Sequence, residues 1–338
     1  LCASVKAEKV KMGLSAFQDV YSVFVGIDQG YWEDEGIELE LTYSDWGGTN
    51  ELGVADKVDV WATSDADVIL HNARGIDSTL AFPMFYFAGS GLMFDPDVHS
   101  DWTTYNEFFE SNGGNVNEAI KSTLIQVKGA KVAVAAGGAQ STTFIQMIER
   151  AGLNQSDFNI IDMTAEDMPP ALLSGSIDIQ ISGIPQRLAV LNKGMKTLMD
   201  QTSLPDTVAH GALGAKRSWI NANFETAKKI QKVILKTLAY IKQNPDDSYP
   251  IIVENLKKRG TPYEAEWLYG VWDNMEFFVN GVDWYNEKVV ATNGGFYWKD
   301  RFESLIVGLQ SQDKIPDPYD VPLEDLNYGL KIVSSLEK

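Results

Sequence analysis

The sequence is nearly free of cysteine. Cys2 is the only one among the 338 residues, so no disulfide framework and no cysteine metal site can form within the chain. A cytosolic protein of this length usually has several cysteines, and their near absence favours an oxidising compartment outside the cytoplasm.

Basic residues and long apolar runs are also scarce. The 28 Lys and Arg residues against 47 Asp and Glu residues give a net charge of −19. Such a surface repels nucleic-acid phosphate and anionic lipid, so we expect neither as a partner. The charge does not exclude an anionic ligand, because local dipoles govern a buried site. No stretch approaches the length needed to cross a bilayer.

Signatures of catalysis are absent as well. The chain has no Gly-x-Ser-x-Gly, phosphate-loop or zinc-protease spacing, and we therefore expect neither an enzyme nor a cofactor. Asp65, Asp67 and His71 are the nearest approach to a metal cluster. Three mixed ligands at such loose spacing are common by chance, so we expect no metal site.

The first seven residues contain a possible targeting signal. Val5-x-Ala7 has the small-residue pattern of a signal-peptidase site, and we expect export with cleavage after Ala7. Two alternatives stay open. Cys2 could carry a lipid anchor, or the segment could be a disordered terminus.

Hydrophobic patterning predicts an α/β fold with two lobes. The length exceeds what one core usually holds. Alternating strands at residues 10–14, 37–43 and 58–62 are separated by helical patterns, which is typical of a largely parallel sheet. Residues 128–135 start a second unit of the same kind. From residue 223 the pattern is mainly helical, with helices predicted over 225–243 and 262–279.

Two crossings are predicted between the lobes. Gly89-Ser90-Gly91 interrupts an apolar run, and residues 207–213 form a return strand. We therefore assign residues 8–91 and 209–338 to lobe 1 and residues 92–208 to lobe 2, with a polar helical insertion at 95–127. Open α/β sheets bind ligands at the carboxyl ends of their strands, which predicts a cleft there between hinged lobes.

Four phrases resemble the substrate-binding proteins of the nitrate, taurine and sulfonate import family and their pyrimidine-binding relatives. Residues 26–39 (GIDQGYWEDEGIEL) are similar to the family's A-x-D-K-G-Y-F-x-x-E-G-L-x-V. Weaker matches follow in the expected order at 127–134, 171–178 and 213–228. The resemblance implies the type II two-lobe periplasmic-binding-protein fold and a monomer that delivers a small molecule to an ABC permease. A related fold hosts an enzyme of thiamine-pyrimidine synthesis known for a cysteine cluster, which is the alternative function.

The strongest candidate site is in lobe 2. Gly138, Gln140, Ser141 and Thr142 follow a strand and open a helix, where free backbone N–H groups and side-chain donors converge. The alternative is a plain helix cap. Gly183 and Pro185 follow the next strand, so we expect this loop to line the site too.

Lobe 1 contributes further candidates, which lie at strand ends. Gln18 and Asp19 follow the first strand, Trp46 follows the second, and Ser64 and Asp65 follow the third. Trp46 could stack on a planar or cationic ligand.

His210 lies on the return strand and is a candidate donor. Capping and packing are the alternatives for all of these lobe 1 positions. Helix-terminus donors favour sulfonate, nitrate or carboxylate as the ligand, whereas the aromatic and acidic candidates favour a planar nitrogen heterocycle or a cation.

Ser141→Ala separates a ligand contact from a cap. If Ser141 donates to a charged ligand group, affinity should fall roughly tenfold to a hundredfold while the fold persists. A cap alone predicts unchanged affinity and a stability loss of about 1 kcal/mol. Calorimetric titration and a melting curve on the same variant measure both quantities.

Overall fold

The computed structural model describes residues 7–135, 139–260 and 263–336. They form two compact units. Unit 1 comprises the described chain up to Phe87 and from Ala209 onward, and unit 2 is Ala88–Val208. The sequence predicts the first boundary between the lobes slightly later in the chain, after residue 91. No helix in the described ranges has the length and apolar character of a membrane span.

Strands and helices alternate in the first part of each unit. The strands are β1 (Glu8–Leu14), β2 (Ile37–Tyr43), β3 (Val60–Ser64), β4 (Thr79–Phe87), β5 (Gly91–Phe94), β6 (Lys131–Val134), β7 (Asn159–Asp162), β8 (Ile179–Ser182), β9 (Lys196–Asp200), β10 (Ala209–Ala215) and β11 (Glu276–Phe278). The helices are α1 (Tyr21–Asp28), α2 (Tyr31–Asp34), α3 (Trp46–Val54), α4 (Asp65–Ala73), α5 (Tyr105–Ser111), α6 (Val116–Ile125), α7 (Ala139–Arg150), α8 (Met168–Leu173), α9 (Gln186–Leu191), α10 (Arg217–Ala222), α11 (Phe224–Gln243), α12 (Pro245–Lys257), α13 (Ala265–Val271), α14 (Val282–Tyr285), α15 (Trp298–Ser311), α16 (Leu323–Leu326) and α17 (Gly329–Ser334). A 3-10 turn at Gln18–Val20 precedes α1.

Unit 1 is built on a six-stranded sheet in the order β11-β4-β10-β3-β1-β2. β1 pairs in parallel with β2 and β3, whereas β10 runs antiparallel between β3 and β4. β11 is antiparallel to β4. The carboxyl ends of β1 to β4 therefore meet the amino ends of β10 and β11 at one side of the sheet, which we call the unit 1 edge.

Burial along the strands follows their place in the sheet. β4 is buried at every position from Thr79 to Tyr86, as expected for a strand covered on both faces. β2 is mostly partly or fully exposed, with charged side chains at Glu38 and Glu40, which is typical of an edge strand protected against further pairing. These patterns confirm the α/β class predicted from the sequence.

Unit 2 has a five-stranded sheet in the order β7-β6-β8-β5-β9. β6, β7 and β8 are parallel, and β5 is antiparallel to both of its neighbours. The segment 95–127, predicted to be helical, contains α5 and α6. Ile120 and Leu124 of α6 belong to the same core as Phe94 and Phe144, so this segment is an integral part of unit 2.

The prediction of one continuous helix over residues 262–279 is wrong beyond Val271. Helix α13 ends at Val271, Asp273 adopts a left-handed φ of 62°, and β11 then pairs with β4. Asp tolerates this conformation better than most residues, which permits the turn. The aromatic residues of this stretch are therefore divided between elements, and Trp272 stacks on Phe278 of β11 with ring centroids 3.9 Å apart.

Gly211 on β10 leaves room for the ring of Phe85 on β4. A Cβ at Gly211 would overlap that ring, so Gly211→Ala should lower the free energy of unfolding by about 1–3 kcal/mol. Gly270→Ala is the matched control, because open space surrounds that helical position and alanine favours helix. Chemical denaturation measures both, and equal stability of the two variants would contradict this account.

Candidate functional site

The unit 1 edge brings together residues from distant parts of the chain. Strands β1, β2 and β3 end there and are followed by loops or helix starts, whereas β10 and β11 begin there. Six predicted site residues lie on it, namely Gln18, Asp19, Trp46, Ser64, Asp65 and His210. Ligands of open α/β sheets bind at this kind of edge, so we take it as the candidate site.

Phe17 and Trp46 form the accessible aromatic part of the edge. Phe17 is 40% exposed, and its ring meets that of Trp46 edge-on at a centroid distance of 6.5 Å. The Trp46 indole Nε1 donates to Asp67 Oδ2 at 3.0 Å, and the Ser64 hydroxyl donates to the same oxygen at 2.7 Å. Asp67 thus orients both side chains. Because the indole N–H is already satisfied, Trp46 has only its ring faces to offer a planar ligand.

Asp65 follows Ser64 at the start of α4 and is 1% exposed. Arg301 Nε donates to its Oδ2 at 2.8 Å, as does the backbone N–H of His210 at 3.0 Å. Burial raises the pKa of Asp65, but the charge of Arg301 and the contribution of His210 outweigh it and the net shift is downward. Asp65 is therefore a paired carboxylate that connects α4, β10 and α15.

His210 is neutral in this setting. Its ring meets that of Tyr86 edge-on at a centroid distance of 4.3 Å. Burial lowers the pKa of His210 to about 3, since the attraction of Asp65 only partly opposes it and Arg301 reinforces it. The imidazole can exchange hydrogen bonds at this edge but supplies no positive charge at neutral pH.

The loosely spaced Asp65, Asp67 and His71 do not form a cluster. Asp65 pairs with Arg301, Asp67 accepts from Trp46, and His71 Nδ1 lies 3.4 Å from the Ser78 hydroxyl. Within the described ranges, no group of three or more His, Cys, Asp or Glu side chains could hold a metal ion.

Gln18 and Asp19 contribute a buried polar layer. Asp19 is fully buried and accepts hydrogen bonds from the backbone N–H of Ser15, at 2.7 Å, and from its hydroxyl. Burial raises the pKa of Asp19 although these bonds oppose the shift. The Gln18 side-chain amide donates to Oε1 of Glu276, which begins β11.

Glu276 has 0% exposure, and its second oxygen, Oε2, has no hydrogen-bond partner among the described residues. Burial raises the pKa of Glu276 well above its usual range, and only the bond from Gln18 opposes the shift. Tyr21 and Tyr263 lie close enough to interact electrostatically with it, and burial raises the pKa of both phenols. Glu276 therefore favours the neutral acid in this environment.

The other predicted residues lie in unit 2. Gln140, Ser141 and Thr142 are half-buried in the first turn of α7, whereas Gly138 is outside the described residues. Gly183 and Pro185 follow β8, and the backbone oxygen of Gly183 accepts from the N–H of Arg187 at 2.9 Å.

The Arg187 side chain is buried and donates to the Gly89 oxygen at 3.1 Å and to Asp200 Oδ2 at 2.7 Å. Arg187 thus ties the loop after β8 to the loop before β5 and to the end of β9.

Comparison with known families identifies the chain. The sequence profile of the NMT1-like family matches residues 3–251. The chain belongs to the NMT1-like family. A search of curated protein sequences finds no significant match.

Two solved structures that share this fold are named as periplasmic binding proteins. The aliphatic sulphonate binding protein SsuA of Escherichia coli superposes with a TM-score of 0.69 at 16% identity, over 95% of this chain and 92% of that chain. The nitrate-binding protein NrtA of Synechocystis PCC 6803 gives 0.67 at 16% identity, over 98% and 90%. These likenesses confirm the predicted fold family for this NMT1-like chain.

Sequence patterns do not single out two residues that matter at the edge of this NMT1-like protein. Glu276 lies inside the helix predicted over 262–279 but begins β11 in the structure, and Arg301 lies on the helix α15 with no distinguishing motif. A carboxylate between Met275 and the aromatic pair at 277–278 is the local signal that could have found Glu276, because charged residues are rarely buried without reason.

Glu276→Gln should make this NMT1-like protein less sensitive to alkaline pH. A carboxyl with a raised pKa in the folded state stabilises the fold fully below its unfolded pKa and loses that contribution as pH rises toward the folded value. The loss is about 1.4 kcal/mol per pH unit in that window. Denaturant melts should show equal stability near pH 4 and a more stable variant at about pH 8.

Asp59→Asn is the control for this comparison. Its carboxylate accepts from the Lys11 backbone N–H at the opposite side of the same sheet, and the amide can keep that bond. A wild type whose stability relative to Glu276→Gln does not change with pH would show that Glu276 is not held neutral.

Proposed function

We propose that this NMT1-like protein is an extracytoplasmic solute-binding protein that captures a small polar molecule for an ABC importer. Its family and its fold support the proposal, since the relatives described above are named as sulphonate-binding and nitrate-binding periplasmic proteins. Binding rather than turnover is proposed, because the solved structures described above are named as binding proteins.

The observation that carries the proposal is the layered chemistry of the unit 1 edge. The edge has accessible rings at Phe17 and Trp46 and, at the start of β11, the buried Glu276, whose Oε2 has no partner among the described residues. A few fixed polar groups beneath apolar contact surface are the usual composition of a small-molecule site.

Unit 2 carries a second candidate binding surface. The half-buried Gln140, Ser141 and Thr142 lie where the N-terminal N–H groups of α7 point, and Gly183 and Pro185 follow the neighbouring β8. Helix N-termini favour electronegative groups, so this surface of unit 2 suits a polar or anionic group.

Export and delivery follow from the same proposal. We propose a periplasmic or otherwise extracytoplasmic monomer whose partner is the membrane permease of an importer. Its mature form either starts after cleavage behind Ala7 or is anchored through a lipid on Cys2. N-terminal sequencing of protein from its native host separates the two mature forms.

Native mass spectrometry of the purified protein should reveal one small molecule bound per chain. A binding protein releases its ligand unchanged. The compound recovered after denaturation should therefore keep the same mass when it is bound again and released a second time. Calorimetric titration with the recovered compound should then give one site per chain. Conversion of that compound to a product on incubation would contradict the proposal and favour an enzyme on this fold.

A further inference from the structure

Strand β2 has one side that no other strand covers. In the described part of the chain it is the last strand of the unit 1 sheet and pairs only with β1. At its two ends, the Gly36 oxygen accepts from β1 at 2.8 Å and the Ser44 N–H donates to β1 at 3.0 Å. Backbone groups alternate in direction along a strand, so the even-numbered residues face β1. Ile37, Leu39 and Leu41 therefore present their N–H and C=O groups to the uncovered side.

An apolar groove of about 430 Å³ lies against the same strand. We call it the β2 groove, and its apolar lining consists of Ile27, Trp32, Ile37, Leu39 and Leu41. Ile27 is 47% exposed. Free backbone groups beside an apolar groove suit an extended segment, which can add to the sheet as a further strand and place every second side chain in the groove. A helix cannot use these free groups, because it satisfies its own backbone internally.

Carboxylates mark the other face of β2. Successive side chains of a strand point to opposite faces, so Glu38 and Glu40 lie on the face opposite to Leu39. Both carboxylates are exposed. Glu40 forms an ion pair with Lys9 at 2.9 Å, whereas Glu38 forms none within the described residues. A strand added beside β2 would therefore meet apolar side chains on one face and carboxylates on the other.

A second copy of this chain does not match that surface. Two β2 strands side by side would bring Glu38 and Glu40 of one copy next to the same carboxylates of the other, and like charges on neighbouring strands destabilise a sheet. The net charge of −19 adds to the repulsion. The carboxylates thus protect β2 against its own copies, while they attract a segment with basic side chains.

We propose that the β2 groove binds an extended segment of another protein, with apolar side chains at every second position and lysine or arginine between them. The segment adds to the sheet beside β2, with its apolar side chains in the groove and its basic side chains next to Glu38 and Glu40. None of the candidate ligand residues of unit 1 lines this groove. The inference therefore goes beyond the proposed solute-binding function and does not depend on it.

A short synthetic peptide of alternating lysine and valine is the probe. With the peptide at about ten times its Kd, hydrogen exchange at the amides of Ile37, Leu39 and Leu41, followed by NMR, should slow by about tenfold. The even-numbered amides of β2 should change less, because β1 already protects them. A peptide of the same composition with all its lysines before its valines is the control for simple charge attraction, and it should not slow exchange at these amides.

Glu38→Lys should weaken binding of the alternating peptide by roughly threefold to tenfold, since it replaces an attraction by a repulsion. Glu110→Lys is the matched control, because it changes the net charge equally at an exposed position of α5 in unit 2, and it should leave the affinity nearly unchanged. Ile27→Ala should also weaken binding, whereas Val307→Ala, at another exposed apolar position, should not. Calorimetric titration measures all four variants.

Several outcomes would overturn the inference. Exchange at the odd-numbered amides of β2 that does not slow with the alternating peptide is one, and equal affinity of the two peptides is another. Wild-type affinity in Glu38→Lys would also overturn it. Slow exchange at these amides in the protein alone would do the same, because it would assign β2 to a second copy if it depended on protein concentration and to another part of this chain if it did not.

Discussion

The antiparallel position of β10 between β3 and β4 is the constraint on which the rest of unit 1 depends. The chain leaves unit 1 after β4 and returns at Ala209, and β10 then pairs with β4 along its whole length and with β3 from Gly211 to Ala215. This pairing brings the start of β10 to the same side as the ends of the parallel strands. β11 is aligned in the same direction through β4, so Glu276 reaches the edge as well.

Close packing makes this arrangement possible and limits it. Gly211 and Gly214 have no side chains where Phe85 and Thr63 approach β10 most closely. The two positions also lie next to shifts in the register between β10 and β4. Small residues therefore let a strand with bulky neighbours lie in the middle of the sheet, where both of its edges are satisfied.

The Asp65–Arg301 pair links the C-terminal helices to the edge. A buried ion pair adds little net stability compared with apolar packing, but losing one partner leaves a charge uncompensated at a cost of about 3–5 kcal/mol. Here Asp65 also accepts the backbone N–H of His210, whose imidazole burial keeps neutral by lowering its pKa to about 3. Among the three buried carboxyl groups of the edge, Asp65 therefore has a basic partner, whereas Asp19 and Glu276 have none within the described residues.

The sequence by itself determined the class of protein, the α/β alternation and the strand ends where polar loops occur. Those features depend on side-chain periodicity and composition over short stretches, and the loops at Gln18, Trp46 and Ser64 were predicted this way. Only the tertiary structure decided which of these side chains are accessible and which are engaged in hydrogen bonds or ion pairs. Gln18 meets Glu276 across 258 positions, and Asp65 meets Arg301 across 236. The three-residue strand β11 was missed because so short a segment becomes a strand only by pairing with β4, and no local pattern encodes a partner that far away.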